Sequence, residues 1–245
     1  TPYTITYVLN GGANHPTNRT SYTLNDSFTF GEATKVDNVF DGWYSDAAFQ
    51  NRVYGIEAGT TGAKTFYAKF ITEYKLTYEV YGGQHSNPLG YTGKTEVILT
   101  AAAKTNNRFM GWYDNASFSG AKITSIPQGA VGNIKLYAKF LAEYSITYNL
   151  DSGINNAQNP SKFIVEDVIV FAEPTKNGYL FEGWYSDANH TIAVTGITNG
   201  TQNVTVYAKW SIINYTIEYE LNGGENNAQN PESYFVNTSV ALLPA

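Results

Sequence analysis

Tyr3-Thr4-Ile5-Thr6-Tyr7 returns as Tyr74-Lys75-Leu76-Thr77-Tyr78, as Tyr144-Ser145-Ile146-Thr147-Tyr148 and as Tyr215-Thr216-Ile217-Glu218-Tyr219. The starts, at residues 3, 74, 144 and 215, lie 71, 70 and 71 apart. In the first copy Tyr3, Ile5, Tyr7 and Leu9 point one way and Thr4, Thr6 and Val8 the other; Tyr74, Leu76, Tyr78 and Val80 repeat the pattern. Period two marks a strand with one buried face. Gly11-Gly12, Gly82-Gly83 and Gly223-Gly224 then break the strand where a tight turn needs positive φ.

Working outward, two more landmarks keep the same order. Gly-Trp-Tyr stands at Gly42-Trp43-Tyr44, Gly111-Trp112-Tyr113 and Gly183-Trp184-Tyr185. Tyr-Ala-Lys-aromatic closes each unit, at residues 67–70, 137–140 and 207–210. Its inward face reads Phe66, Ala68 and Phe70, then Leu136, Ala138 and Phe140, then Val206, Ala208 and Trp210. Self-similarity at a fixed period outranks length in deciding organisation. The chain therefore divides into repeats at 1–72, 73–142 and 143–212, with the first half of a fourth at 213–245.

Within a unit, a second strand is expected over 21–30, with counterparts at 95–99, 162–171 and 234–242. After Gly-Trp-Tyr, Ser45-Asp46-Ala47-Ala48 offers a cap for a short helix or turn. The expected class is α+β, mostly β, with one short helix per unit. The linkers Ile71-Thr72-Glu73, Leu141-Ala142-Glu143 and 211–214 lack Gly and Pro and are too short to act as flexible tethers. Units of this size have a radius of gyration of about 11 Å, so beads in file make an extended rod on the order of 100 Å long.

A unit of this length is near the lower limit for independent folding and needs a dense core. Trp43, Trp112 and Trp184 are read as core, with Phe40, Phe109, Phe181, Phe70, Phe140 and Trp210 around them. Tyr44, Tyr113 and Tyr185 are the candidate ligand contacts, because neighbours on a strand face opposite ways. An exposed aromatic could stack on a sugar ring or a peptide.

These residues resemble the Listeria–Bacteroides repeat, the module also known from internalin B-repeats. The likeness rests on the opening strand with Gly-Gly, Pro174-Thr175-Lys176, Phe-x-Gly-Trp-Tyr and the Tyr-Ala-Lys-Trp close, and covers essentially the whole chain. Ala33-Thr34-Lys35 and Ala103-Lys104-Thr105 lack the Pro. The resemblance implies a compact β-grasp-like fold in tandem on secreted or wall-anchored bacterial proteins, with a spacer or adhesive role. It brings no catalytic residues.

Composition narrows the function classes. Of a formal charge of −6, Glu218, Glu220, Glu225 and Glu232 supply −4, and no Lys or Arg follows residue 210. The rest is nearly balanced and without basic clusters, which argues against nucleic acid. No run of 18 apolar residues suits a membrane span. Thr1-Pro2-Tyr3 runs straight into a strand, as in a mature or excised fragment. Cys is absent, so neither disulfides nor thiolate chemistry is expected. His15, His85 and His190 do not recur at equivalent positions. Asp46, Asn115 and Asp187 follow the aromatic turn, where a turn or cap role is expected ahead of a Ca²⁺ site. No phosphate loop or nucleophile elbow is found. Triplets such as Asn18-Arg19-Thr20, Asn189-His190-Thr191 and Asn203-Val204-Thr205 matter only in a source that glycosylates its surface proteins.

The expected function is a non-enzymatic extracellular array, without cofactor or metal, serving as stalk and adhesion module. Its partners would be a surface protein or glycan of a host or neighbouring cell, or other copies of itself. The alternatives are a carbohydrate- or peptide-binding module using exposed aromatics, and a self-assembling filament or surface-layer subunit. The last rests on the half unit: aligning Asn226–Pro231 on Asn155–Pro160 puts Ala245 opposite Pro174, ahead of any Gly-Trp-Tyr turn. Such a half either continues in the native protein or pairs with a neighbouring chain.

Overall fold

The computed structural model describes residues 1–245 and contains strands but no helix. The class is therefore all-β, and the expected short helix is replaced by a loop. Asp46 accounts for this: its carboxylate accepts the backbone N–H groups of Gln50 and Asn51, closing a turn. Phe49, with φ of +56°, then turns the chain out of any helical path.

In the first repeat the sheet has five strands. The opening strand Tyr3–Val8 pairs antiparallel with Ser21–Tyr22 on one side. On its other side it lies parallel to the closing strand Lys64–Thr72, with Ile5 opposite Lys64 and Val8 opposite Tyr67. The aromatic strand Asn38–Tyr44 pairs antiparallel with the closing strand and with the short edge Arg52–Val53. The third repeat has the same order: 162–163, Tyr144–Asn149, Val204–Ile212, Tyr179–Tyr185 and 193–194. In the second, Tyr74–Glu79 lies parallel to Ile134–Ala142, while an isolated Trp112–Ile123 bridge stands in for the edge strand.

The expected long second strand is two short ones. Ser21–Tyr22 and Phe28–Thr29 are separated by a turn in which Asp26 accepts the N–H of Thr23. Phe28–Thr29 leaves the main sheet to pair with Gly55–Ile56, and Val168–Val170 pairs likewise with Gly196–Thr198. These small ribbons cap the apolar face. In the first repeat Ile5, Trp43, Phe66 and Ala68 are buried beneath Phe28, Phe30 and Ile56. In the third Ile146, Trp184, Val206 and Ala208 take the same places. Large apolar side chains contribute about 1.5–3 kcal/mol each when fully buried, so each of these buried residues stabilises its repeat.

A bulge lies in the aromatic strand. Register shifts between Phe40 and Gly42, and again between Phe181 and Gly183. Gly42, Gly111 and Gly183 sit at φ of +149°, +141° and +139°, where a side chain is strained. The bulge turns Phe40 and Trp43 to the same face, and their rings meet at 5.5 Å.

The joints between repeats are shorter than the linkers suggest. The closing strand runs to Thr72, the next opening strand starts at Tyr74, and Glu73 alone separates them. Glu143 and Ile213 are the equivalent single residues. Each donates its backbone N–H, over 2.9 Å, to a turn carbonyl: that of Asp37, Asn106 or Gly178. These three acceptors all have positive φ. Contacts divide the chain into two compact units, Thr1–Ala103 with Phe109–Lys139, and Lys104–Arg108 with Phe140–Ala245. Within the first, Lys94 pairs with Asp41; within the second, Arg108 pairs with Asp167 and Glu143.

Of the sheet, the half unit has the pairing of Asn214–Thr216 with Ser233–Phe235. Tyr234 occupies the place of Tyr22 and Phe163 but is 40% exposed, against 1% and 0%. It lacks the aromatic and closing strands that would cover it.

Candidate functional site

The polar framework behind the aromatic turn recurs in each repeat and hangs on an asparagine. Asn18 accepts the N–H of Gly31 and donates to its carbonyl, as a neighbouring strand would. Asn87 does so with Thr100, Asn159 with Ala172 and Asn230 with Leu243. The carbonyls of Gly31, Thr100 and Ala172 also accept the indole N–H of Trp43, Trp112 and Trp184. The carbonyl after each asparagine, in Arg19, Pro88, Pro160 and Pro231, accepts the hydroxyl of Tyr7, Tyr78, Tyr148 or Tyr219. Burial pushes the Tyr7 and Tyr148 hydroxyls up to about 12. Sequence reading missed these asparagines. The signal was the Asn-Pro of Asn87, Asn159 and Asn230, each 9 or 11 residues after the second Tyr of its opening strand.

Trp43, Trp112 and Trp184 are 3%, 2% and 3% exposed. Phe40, Phe109 and Phe181 meet them edge-on at 5.4–5.5 Å. Phe70 lies against Phe40 and Trp210 against Phe181, while Phe140 lies under the Lys104 ammonium. Tyr44, Tyr113 and Tyr185 do face the other way, yet that second face is also covered. The Asp46 loop folds over it, setting Phe49 on Tyr44, Phe118 on Tyr113 and His190 on Tyr185. Tyr44 and Tyr113 are buried and Tyr185 half-buried. These candidate ligand contacts meet their own loop, and Tyr67 and Tyr207 line the open space beside them.

Asp46 and Asp187 spend their oxygens on that loop. Hydrogen bonds from the backbone of Gln50 and Asn51 hold Asp46 below the usual carboxylate range. Burial works to raise Asp187, but the amides of Ile192 and Thr191 outweigh it and hold it below that range too. Asn115 accepts the N–H of Ser119 in the same manner. His15 binds Thr17 and His85 stacks on Tyr78 at 4.1 Å, in separate surroundings.

Beside the covered tyrosine the second face opens into a cleft that recurs. In the first repeat it encloses 570 Å³ between Asn10, Lys35, Phe49, Tyr67, Lys69 and Phe70. In the third it encloses 500 Å³ between Asp151, Lys176, His190, Tyr207, Lys209 and Trp210. Both volumes fall within the roughly 300–1,000 Å³ of small-ligand sites. In the first cleft Lys35 donates to the carbonyl of Asn10 and lies 5.6 Å from the Phe70 centroid. Lys69 stands over Tyr44 and pairs with Asp41, which Lys94 also claims. Burial works to raise the Asp41 carboxyl, but the two ammoniums outweigh it and keep it ionised. In the third cleft each lysine has its own carboxylate, Lys176 with Asp151 and Lys209 with Glu182. The Lys209 bond holds Glu182 below its usual range. A wider hollow of 670 Å³ beside Tyr74–Glu79 contains Asp37 and Glu73 with a single cation, Lys75, which pairs with Asp37.

Strand order, bulged aromatic turn and closing Tyr-Ala-Lys recur together and define a tandem β-repeat protein. The Listeria-Bacteroides repeat domain matches residues 3–69, 74–139 and 144–209, and the chain belongs to that family. A putative membrane protein of Evansella cellulosilytica is 29% identical over 229 residues, covering 90% of this chain and 33% of the relative. A putative Gly-rich membrane protein of the same organism is 29% identical over 200 residues, 78% of this chain and 22% of the relative. Internalin H of Listeria monocytogenes is 31% identical over 149 residues, 58% of this chain and 26% of the relative. The chain thus spans a third or less of the curated relatives it matches. No solved structure matches. No helix here is long and apolar enough to cross a membrane.

Proposed function

We propose that this chain is a non-enzymatic spacer and adhesion segment of a bacterial surface protein, built from modules at 1–72, 73–142 and 143–212 and the first part of another at 213–245. The relatives' names, two putative membrane proteins and an internalin, support the surface setting. A β-grasp-like description of the module draws support from its mixed sheet, in which the first and last long strands are the parallel central pair. An extended loop takes the place of the helix in that reading.

The observation that carries the proposal is the joint. A single residue between strands, Glu73 within the first compact unit and Ile213 within the second, is pinned by the same backbone hydrogen bond and leaves those neighbouring strands little freedom to swing. Such a joint suits an element whose task is reach. Partners would be a surface protein or glycan on another cell, held by several weak contacts at once. Small-angle scattering with inline mass determination tests this. A monomer on the order of 100 Å long is expected; a compact particle of monomeric mass would overturn the spacer reading.

A further inference from the structure

We propose that the cleft of the first repeat binds a carboxylate-bearing sugar, such as a uronic acid residue of an acidic polysaccharide. The inference goes beyond the spacer reading and does not depend on it.

The argument starts from charge. The chain as a whole is acidic, at −6, yet Lys69 and Lys94 share one carboxylate, Asp41, and Lys35 lines the same cleft as Lys69. Lys35 has a carbonyl and a ring for partners and no carboxylate. An anion entering the cleft would gain two ammonium donors already held in place by Phe70 and Tyr44. The lining then selects among anions. Tyr67, half-buried on the outer face of the closing strand, offers a ring for the apolar face of a pyranose. Asn10 donates its amide nitrogen to the carbonyl of Ala68, which fixes the side chain and leaves its oxygen to accept a sugar hydroxyl. Lysines act as point charges and no arginine fork or nest of backbone N–H groups lines the cleft, so a bare phosphate finds less here than a charged sugar.

The third repeat supplies an internal comparison. Its cleft has the same shape, but Asp151 replaces Asn10 and lies 2.9 Å from Lys176. A carboxylate already occupies the place the guest would take. The chain thus carries one open and one self-filled version of a single site.

The experiment is a titration of the 245-residue chain with trigalacturonate at low salt, read by amide chemical shifts and calorimetry. Expected are shifts around Lys35, Tyr67 and Lys69, and an affinity that falls as salt rises. Lys35→Gln should weaken binding about tenfold while leaving the thermal midpoint unchanged. Asp151→Asn should add a second site in the third repeat, visible as new shifts near Tyr207. Absence of binding to the wild-type chain, or equal binding of neutral trigalactose, would overturn the proposal. So would equal displacement by inorganic phosphate, which would make the cleft an anion site without a sugar component. Scattering reads the spacer role separately, so failure of either proposal leaves the other standing.

Discussion

Asn87 illustrates how much a single side chain can hold here. Buried at 6% exposure, it bonds both the N–H and the carbonyl of Thr100, and that carbonyl also receives Trp112. Asn87→Ala leaves the Thr100 N–H without a partner, at a cost of about 1–3 kcal/mol, seen as a lower urea midpoint. Ionisable side chains set the limits in pH. The folded pKa values of Asp46 and Asp187 are depressed, so their contribution is present above the unfolded value of about 4 and is lost as pH falls through the folded ones. Tyr7 and Tyr148 are raised, so theirs is complete below the unfolded tyrosine value of about 10 and disappears as pH climbs to about 12. Stability measured by urea unfolding should be level from about pH 5 to 9 and decline on both sides. A decline on the acid side alone would mean that the buried hydroxyls are not what limits the alkaline end.

Among the elements, the bulged aromatic strand and the joints carry the sharpest expectations. Gly183 has room for a methyl, with Tyr185 at 3.7 Å, so Gly183→Ala isolates the backbone cost of φ +139° at about 1–3 kcal/mol. Gly178 differs: a Cβ there would meet Val236 at 2.4 Å. Gly178→Val should therefore disturb the Gly178–Ile213 hydrogen bond, and amide exchange at Ile213 should speed up while Ile146 in the core is unchanged. The long strands were readable from sequence because alternation and burial coincide in them. Tyr3–Val8 and the closing strands begin and end close to where the pattern places them. The broken second strand was not, since Asp26 interrupts it with a hydrogen bond that no periodicity records. The bridges also correct one alignment: Thr34, Ala103 and Thr175 are equivalent, so Ala102, and not Ala103, stands where Pro174 does. The cover over Tyr44 was hidden for a related reason. Alternation gives the face a residue occupies, while the loop that covers that face is set by Asp46.

At the scale of the molecule, repetition makes stability local. Each core is closed by its own tryptophan, so Trp184→Ala should cost about 3–5 kcal/mol in the third repeat. That is a large share of what a domain this size has to lose. Unfolding followed by residue-resolved exchange should show the third repeat opening first and the first repeat keeping its protection. Uniform loss along the chain would mean that the joints couple the repeats into one cooperative unit.

The parallel pairing of opening and closing strands has a mechanical consequence. The chain enters a repeat on Tyr3–Val8 and leaves it on Lys64–Thr72, neighbours that run in the same direction. Tension applied through the two ends pulls these strands oppositely along their own axes. The rungs between Ile5 and Lys64 and between Val8 and Tyr67 are then loaded together in shear, where a hairpin would let them peel one at a time. The third repeat has the same pair, Ile146 to Asn149 beside Val204 to Tyr207. Under a pull on its two ends, such a module holds its length until all its rungs fail at once.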